Sequence, residues 1–464
     1  MRKIYQISYT LSSNIVATVI SLVITLIVPK HLGISDYSLF QLYLFYFSYV
    51  GFFHFGWADG FFLRCGGKYY NELKKERLKK EILIFAISQM IIGVGIILTA
   101  IFVDIALEKK YIFIAIGIVT IFYNIRTLFQ YLFQATGRIK EYSVTVIIEK
   151  VSYFLIVLIL LMIGSDRFYL YVVANIVGVV LSLVYSIICC ADLIRTKACA
   201  LATVKKDIYG DLKSGSNLLL ANIAGLLIIG IVRQAIEIKW DVEQFGKLSL
   251  SISISNMLVM LINAVAVVLF PMLKRMQNDR IVPLYISLDI IISTLLFGMM
   301  AFYYPAKVIL AYWLPQYADS LQYLAILFPM CIFECEVSLL TNTYLKVLRK
   351  ERTIMFTNLF AVGLSVVLSF ISVFIIQNIE LAVFVLLILS ACRCIISQIM
   401  TGKYLNIKVN ERICCEIIMV SVFVISHYAI QGLVGMLVYC VIMFLYIIKF
   451  KRDIFCSLNS IRNV

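Results

Sequence analysis

Apolar stretches of about twenty residues alternate with short polar breaks along almost the whole chain, some fourteen times between Ile7 and Ile448. A run of that length crosses the hydrocarbon layer as a helix, whereas a membrane barrel strand needs only about ten residues. Inside lipid, a backbone amide must find its partner within its own segment or in a closed barrel, so these runs read as helices. The pattern predicts spans at 7–28, 39–60, 82–103, 111–133, 144–163 and 168–190, then at 216–234, 248–270, 284–304, 321–343, 354–376 and 381–401. A final pair covers 413–430 and 434–448, joined at Gln431 and Gly432; thirteen spans, or a re-entrant last hairpin, is the alternative. With 62% hydrophobic residues the chain has too much apolar side chain for a water-facing surface. The fold class is therefore all-α: a polytopic membrane protein with about 14 transmembrane helices.

A longer polar segment at 191–215 separates the first twelve spans into two sets of six. Matches at an offset of 208 to 211 residues connect the sets: Asn14-Ile15-Val16 with Asn222-Ile223-Ala224, Tyr37 with Phe245, Arg64 with Arg275, and Arg138 with Arg349. Six is even, so both sets enter the membrane in the same sense, and a pseudo-two-fold along the membrane normal would relate them. The expected organisation is an N-terminal six-helix bundle at 1–190, a cytoplasmic linker at 191–215, a C-terminal six-helix bundle at 216–401 and an accessory helix pair with tail at 402–464. The last pair is apolar on nearly every face apart from Glu416 and is expected on the lipid side.

The formal net charge of +15 would point to nucleic acid in a soluble chain. Its distribution gives another reading. With a cytoplasmic N-terminus, 30 of the 41 Lys and Arg residues fall on the cytoplasmic side, 7 on the other side and 4 within spans. That bias is the positive-inside signature, and it places both termini in the cytoplasm and the basic residues against anionic membrane lipids, with no nucleic-acid partner. The twelve cysteines all fall in spans or cytoplasmic segments, which argues against structural disulfides, and the three histidines make no zinc-ligand spacing with them. Arg2 and Lys3 resemble a signal-peptide flank, but the apolar run that follows is 22 residues long without a small-residue cleavage site, so it is expected to remain as the first span.

Several spans carry polar residues at helical spacing. Asn14, Thr18, Ser21 and Thr25 share a face of the first span, and Ser249, Ser253, Asn256 and Asn263 do so on the eighth. Arg126, Gln130 and Gln134 lie one turn apart on the fourth; Ser390, Arg393, Ser397 and Thr401 align on the twelfth; Asn222 and Arg233 on the seventh are eleven residues apart and point in nearly the same direction. Such stripes either line a hydrated interior or act as hydrogen-bonding glue between helices. A guanidinium near mid-bilayer costs roughly 2.5 to 3.5 kcal/mol on insertion scales, so Arg126, Arg233 and Arg393 should face a cavity or a partner, unless Arg233 snorkels outward. Acidic candidates are Glu334 and Glu336, Asp289, Glu149 and Asp59. Under the repeat offset Arg126 falls on Glu336, which allows either a salt bridge between the halves or a division of labour between anion binding and uptake of a proton or sodium ion.

No G-x-x-x-x-G-K-[ST] phosphate loop is present, no catalytic constellation or cofactor motif emerges, and no outer loop exceeds about sixteen residues. An enzyme is the minority expectation.

Three motifs, with the span pattern, carry a family resemblance: Leu32-Gly33-Ile34-Ser35-Asp36-Tyr37, the segment from Gly60 to Arg64, and Gln134-Ala135-Thr136-Gly137-Arg138-Ile139-Lys140-Glu141-Tyr142. The chain resembles the oligosaccharide flippases of the polysaccharide transporter group, which includes O-antigen flippases, in the superfamily shared with multidrug and toxin extruders. The second half departs from the pattern at Gln244-Phe245-Gly246, where a Gly-x-Tyr is usual. The resemblance implies two six-helix bundles around a cavity that opens alternately to either side of the inner membrane. The implied substrate is an undecaprenyl-diphosphate-linked oligosaccharide, with polysaccharide polymerase and ligase as partners. Burying each unpaired hydroxyl costs on the order of 2 to 7 kcal/mol, so such a headgroup needs a polar path, and arginines bind diphosphate oxygens in bidentate fashion. The substrate-binding candidates are then Arg126, Arg233, Arg393, Asn14, Asn222, Gln130 and Asn256, and the ion-coupling candidates Glu334, Glu336 and Asp289. The alternatives are a cation-coupled multidrug exporter of the same fold, which the three deep arginines disfavour, and a membrane enzyme acting on lipid-linked sugars.

Overall fold

A computed structural model describes residues 2–275, 278–430 and 432–462, with side chains outside 2–8, 10–11, 258, 261–272, 274–275, 278–279, 433 and 460–462. The side chains of Arg2, Lys3, Asn263, Arg275 and Gln431, which the sequence reading used, lie outside the described residues. The chain forms two compact units, Met1–Ile223 and Ala224–Val464. In the order of the chain, the helices are α1 Arg2–His31, α2 Ile34–Val50, α3 Trp57–Cys65, α4 Lys75–Phe102, α5 Leu107–Ala135, α6 Ile139–Ile163, α7 Phe168–Cys189, the short α8 Ala191–Arg195 and α9 Leu201–Lys239. They continue with α10 Val242–Arg275, α11 Asn278–Ala301, α12 Tyr303–Trp313, α13 Leu324–Cys335, α14 Asn342–Val347, α15 Glu351–Ser369, α16 Ile379–Leu405, α17 Asn410–Ile425 and α18 Gly432–Arg462.

Among the described residues, twelve helical segments are long and apolar enough to cross a membrane. Two further expected spans account for the difference from fourteen. Residues 242–275 do form α10, but part of its side chains lie outside the described set. The expected span at 39–60 is not continuous: α2 ends at Val50, Gly51–His54 winds as a 3-10 turn, and Phe55 and Gly56 take positive φ (51° and 81°) before α3 begins. A left-handed pair stops an α-helix because the helical hydrogen-bond ladder cannot pass through it, and glycine carries that conformation without a Cβ clash. The expected linker is also mostly helical, since α9 runs without a break from Leu201 into the seventh span.

The surfaces of the helices divide as lipid would require. On α4, Ile87, Ile91, Val94 and Leu98 recur every three or four residues and are exposed, whereas Phe85, Gln89 and Gly93 on the opposite face are buried against α5. In the second unit the column Pro315–Val347 is almost entirely enclosed, and α18 presents Leu437, Val441, Phe444 and Ile448 outward. Ring packing closes each core: Trp57 meets Phe85 edge to face at 5.3 Å between centroids, and Tyr285 meets Tyr344 at 4.8 Å.

Helix boundaries recur between the halves. His31 and Lys239, the ends of α1 and α9, are 208 residues apart; Ala135 and Val347, which precede matching turns, are 212 apart; α6 and α15 start 212 apart, at Ile139 and Glu351. The turns share their hydrogen bonds. Arg138 N–H donates to the Phe133 carbonyl at 2.8 Å past Gly137 at φ 73°, and Lys350 N–H donates to the Leu345 carbonyl at 2.8 Å past Arg349 at φ 56°. This is a helix C-cap closed by a six-to-one bond. The structural counterpart of Arg138 is thus Lys350, one residue beyond the Arg349 that the sequence offset suggested.

Candidate functional site

In the first unit, α5 carries the polar face that the one-turn spacing of Arg126 and Gln130 predicts, and α6 supplies the answering groups. Arg126 Nη1 pairs with Glu149 Oε2, and Gln130 Nε2 donates to Thr145 Oγ1 at 3.0 Å. Glu149 and Thr145 are themselves one turn apart, so the two helices form a short polar ladder. Arg126 is 5% exposed, its guanidinium carbon lies 4.6 Å from the centre of the Tyr123 ring, and its Nε has no hydrogen-bond partner. The carboxylate partner of Arg126 is therefore Glu149 of the same unit. Asn124, half a turn away, donates to Gln89 Oε1 at 2.7 Å and to the Val50 carbonyl at 3.1 Å, which satisfies a backbone group freed by the break after α2.

The second unit also holds charged side chains paired between helices. Glu334, on α13, accepts from Ser390 Oγ at 2.9 Å and from Arg393 Nη1 at 3.1 Å, both on α16. Glu336 faces elsewhere, as two residues on a helix must. It begins a π-helical turn, Glu336–Thr341, that follows Pro329 by two turns, and its Oε1 accepts from Ser293 Oγ at 2.9 Å. Asp289 is bound by Arg412 Nη1, and both oxygens of Glu416 accept from Gln398 Nε2, at 2.9 and 3.0 Å. Arg233 on α9 donates to Ser249 Oγ at 2.8 Å with its guanidinium 5.0 Å from the centre of the Phe245 ring. It is half-buried. Asn14 and Asn256 are half-buried on α1 and α10, and Asn222 is exposed on α9.

One group in the first unit was not anticipated. Arg64, at the end of α3, donates Nε to Asp211 Oδ1 at 2.8 Å and Nη2 to both Glu81 oxygens at 2.7 and 2.8 Å, linking α3, α4 and α9. Beside it, a cavity of about 490 Å³ is lined by Arg64, Lys68, Lys74, Arg77 and Asp207, and a second of about 750 Å³ by 67–71 and 134–138. The second contains the Gln134–Arg138 motif, in which Arg138 lies over the rings of Tyr70 and Phe133 at 4.7 and 5.0 Å and donates to the Cys189 carbonyl at 3.0 Å.

A family model described as polysaccharide biosynthesis protein matches residues 5–277, more than half of the chain. The chain belongs to the polysaccharide biosynthesis protein family. Similar solved structures include the lipid II flippase MurJ in an inward closed conformation, at 14% identity and a TM-score of 0.65, covering 97% of this chain and 100% of that one. An inward-facing multidrug resistance MATE family transporter of the MOP superfamily is similar at 10% identity and a TM-score of 0.62, over 84% of this chain and 98% of that one. A MOP superfamily transporter from Pyrococcus furiosus follows at 11% identity and a TM-score of 0.53, over 87% and 95%. At these identities the likeness is one of fold. Comparison with curated protein sequences finds no match.

Within this family member, the groups that sequence reasoning passed over have a common character: each is a lone charge whose partner is distant in the chain. Glu416 looked like an isolated acid in a lipid-facing span, yet it is 2% exposed and hydrogen-bonded to α16. The available signal was the pair Arg412 and Glu416, four residues apart on one helical face, matching Asp289 and Ser293 four apart on another.

Proposed function

We propose that this chain is a flippase that moves an undecaprenyl-diphosphate-linked oligosaccharide, an O-antigen or similar polysaccharide repeat unit, from the cytoplasmic to the periplasmic face of the inner membrane by alternating access. Membership of the polysaccharide biosynthesis protein family and the fold shared with a lipid II flippase support the reading. The 30-to-7 split of basic residues supports an orientation with both termini in the cytoplasm. The observation that carries the substrate chemistry is the pair of deep guanidiniums, Arg126 and Arg393, each held by a carboxylate in its own unit and each with an Nε that lacks an acceptor. Their geometry suits exchange: a diphosphate offers the same planar pair of anionic oxygens as Glu149 or Glu334, so it can replace the carboxylate without leaving a guanidinium unpaired. Arg233, Gln130, Asn14, Asn222 and Asn256 are assigned to the sugar and phosphate path on the same reading.

The test is deletion of the gene followed by analysis of lipid-linked sugars on each face of the inner membrane. The expected result is accumulation of the complete lipid-linked unit on the cytoplasmic face, with loss of surface polysaccharide. An unchanged distribution rules the flippase out. The buried acids of the second unit favour a second reading, export of cationic drugs, because anionic cavities select cations. Hypersensitivity of the deletion strain to cationic drugs with normal polysaccharide would support it instead.

A further inference from the structure

Four Lys and Arg residues fall within the expected spans, and three of them, Arg126, Arg233 and Arg393, already have a part in substrate binding; the fourth is Lys150 on α6. An ammonium inside a span is costly unless something answers it. Lys150 Nζ lies 3.4 Å from Glu149 Oε1, while Arg126 Nη1 takes the other oxygen, Oε2, so one carboxylate is shared between two cations. The side chains of Lys150, Glu149 and Arg126 are 30%, 7% and 5% exposed, and together they carry one surplus positive charge. The second unit is built differently: among the described residues, Glu334 has Arg393 alone as an ion-pair partner, so that pair is neutral. The two contacts of Glu149 also differ in origin. Lys150 reaches it from the adjacent position on the same helix, whereas Arg126 reaches across from α5.

We propose that Lys150 is a positioning residue for the flipped diphosphate: it keeps Glu149 paired when Arg126 turns from that carboxylate to the substrate. The proposal rests on the flippase reading above. Arg126 cannot take a second anion until it releases Glu149, and a buried carboxylate left alone is strongly unfavourable. Lys150 lowers that cost, because its flexible four-carbon stem lets the ammonium close on the carboxylate as the guanidinium leaves. Since Lys150 and Glu149 both ride on α6, their contact survives a shift of α5. The freed Arg126 presents its Nη and Nε edge. Nε is buried without an acceptor in the pairing with Glu149, and a diphosphate, with several anionic oxygens, satisfies it as that carboxylate does not. The surplus positive charge favours the entry of an anion at this point. In the second unit, release of Arg393 would leave Glu334 with only the Ser390 hydroxyl, so the arginine of the first unit exchanges the more readily.

The test measures equilibrium binding of undecaprenyl diphosphate to the purified full-length protein by native mass spectrometry, with undecaprenol as the phosphate-free comparator, well below the melting temperature of every variant. Lys150→Met is expected to weaken diphosphate binding about tenfold or more and Lys150→Arg to keep it within about threefold. Lys140→Met, at an exposed lysine on the same helix, should leave it unchanged. The decisive variant is Lys150→Met with Glu149→Gln. It should recover most of the lost affinity, because Arg126 then leaves no charge behind, whereas a lysine that touched the phosphate directly would show no recovery. Undecaprenol binding should be the same throughout. Glu149→Gln alone is expected to tighten diphosphate binding by about threefold, and it decides the matter if Lys150→Met does not fold. A wild-type protein that binds the diphosphate no better than undecaprenol sinks the substrate reading and this proposal with it. If the wild type does prefer the diphosphate, then unchanged affinity in Lys150→Met, no recovery in the double variant, or weaker binding by Glu149→Gln overturns the role of Lys150 and leaves the flippase reading standing.

Discussion

Gly60 and Asp211 touch backbone to backbone: a Cβ on Gly60 would fall 1.9 Å from the Asp211 carbonyl oxygen. Gly215 meets Gly56 in the same way at 1.8 Å, so α3 and α9 cross at a distance that only glycine permits, and Arg64 bridges from this crossing to Glu81. Gly60→Ala and Gly215→Ala are expected to force the helices apart and lower stability by about 1–3 kcal/mol or more, since the obstruction is backbone and cannot rotate away. Gly95→Ala on α4, with open space around it, is expected to be neutral or slightly stabilising. Melting temperatures of the three variants in one detergent check the order.

Arg126 and Glu149 separate structure from transport. Arg126→Ala leaves a buried carboxylate without its guanidinium and is expected to cost about 3 kcal/mol, seen as reduced yield and melting temperature. Adding Glu149→Gln removes the stranded charge and should restore folding. Surface polysaccharide should stay absent in the double variant if Arg126 binds the diphosphate; its return would make the pair purely structural.

Glu334 and Glu336 should respond in opposite directions to the same substitution. Glu334→Gln takes the charge from a group bound by Ser390 and Arg393 and is expected to lower stability by about 1–3 kcal/mol. Glu336→Gln relieves repulsion with Asp289 and Glu416, which each bring a carboxylate oxygen within 4.8 Å of one of its own, and is expected to raise the melting temperature. A fall for both would mean that the three acids are already largely neutral.

Asn378 caps α16, accepting the Leu381 N–H at 2.9 Å. Asn378→Ala is expected to cost about 1 kcal/mol and Asn378→Asp to be tolerated, because the acid keeps the acceptor and favours a helix N-terminus. Thermal unfolding of the two variants side by side is sufficient.

Orientation is open to a direct check. Reporter fusions truncated after Lys109 and after Arg138 should report periplasm and cytoplasm respectively. The reverse pattern would invert the threading and, with it, the direction of the proposed flipping.

What the chain alone determined is what depends on one segment at a time: that it is a bundle of membrane-spanning helices, where most of them lie, the family resemblance carried by local motifs, and the presence of charges too deep to face lipid. Hydropathy sums along a segment, so spans such as 144–163 and 381–401 were legible. The break at Gly51–His54 was not, since the apolar run continues through it and only the backbone geometry at Phe55 and Gly56 reveals the stop. The continuity of α9 was hidden for the converse reason: a polar helix that packs through its own crossing with α3 reads as a linker. Partner choice belonged wholly to the tertiary structure. Arg126 takes Glu149 at 23 residues' distance and Glu334 takes Arg393 at 59, while Glu416 leaves an apolar span to join acids on two other helices. Rotation about each helix axis and the crossing of neighbours decide which faces meet, and neither quantity is encoded in the period of a single segment.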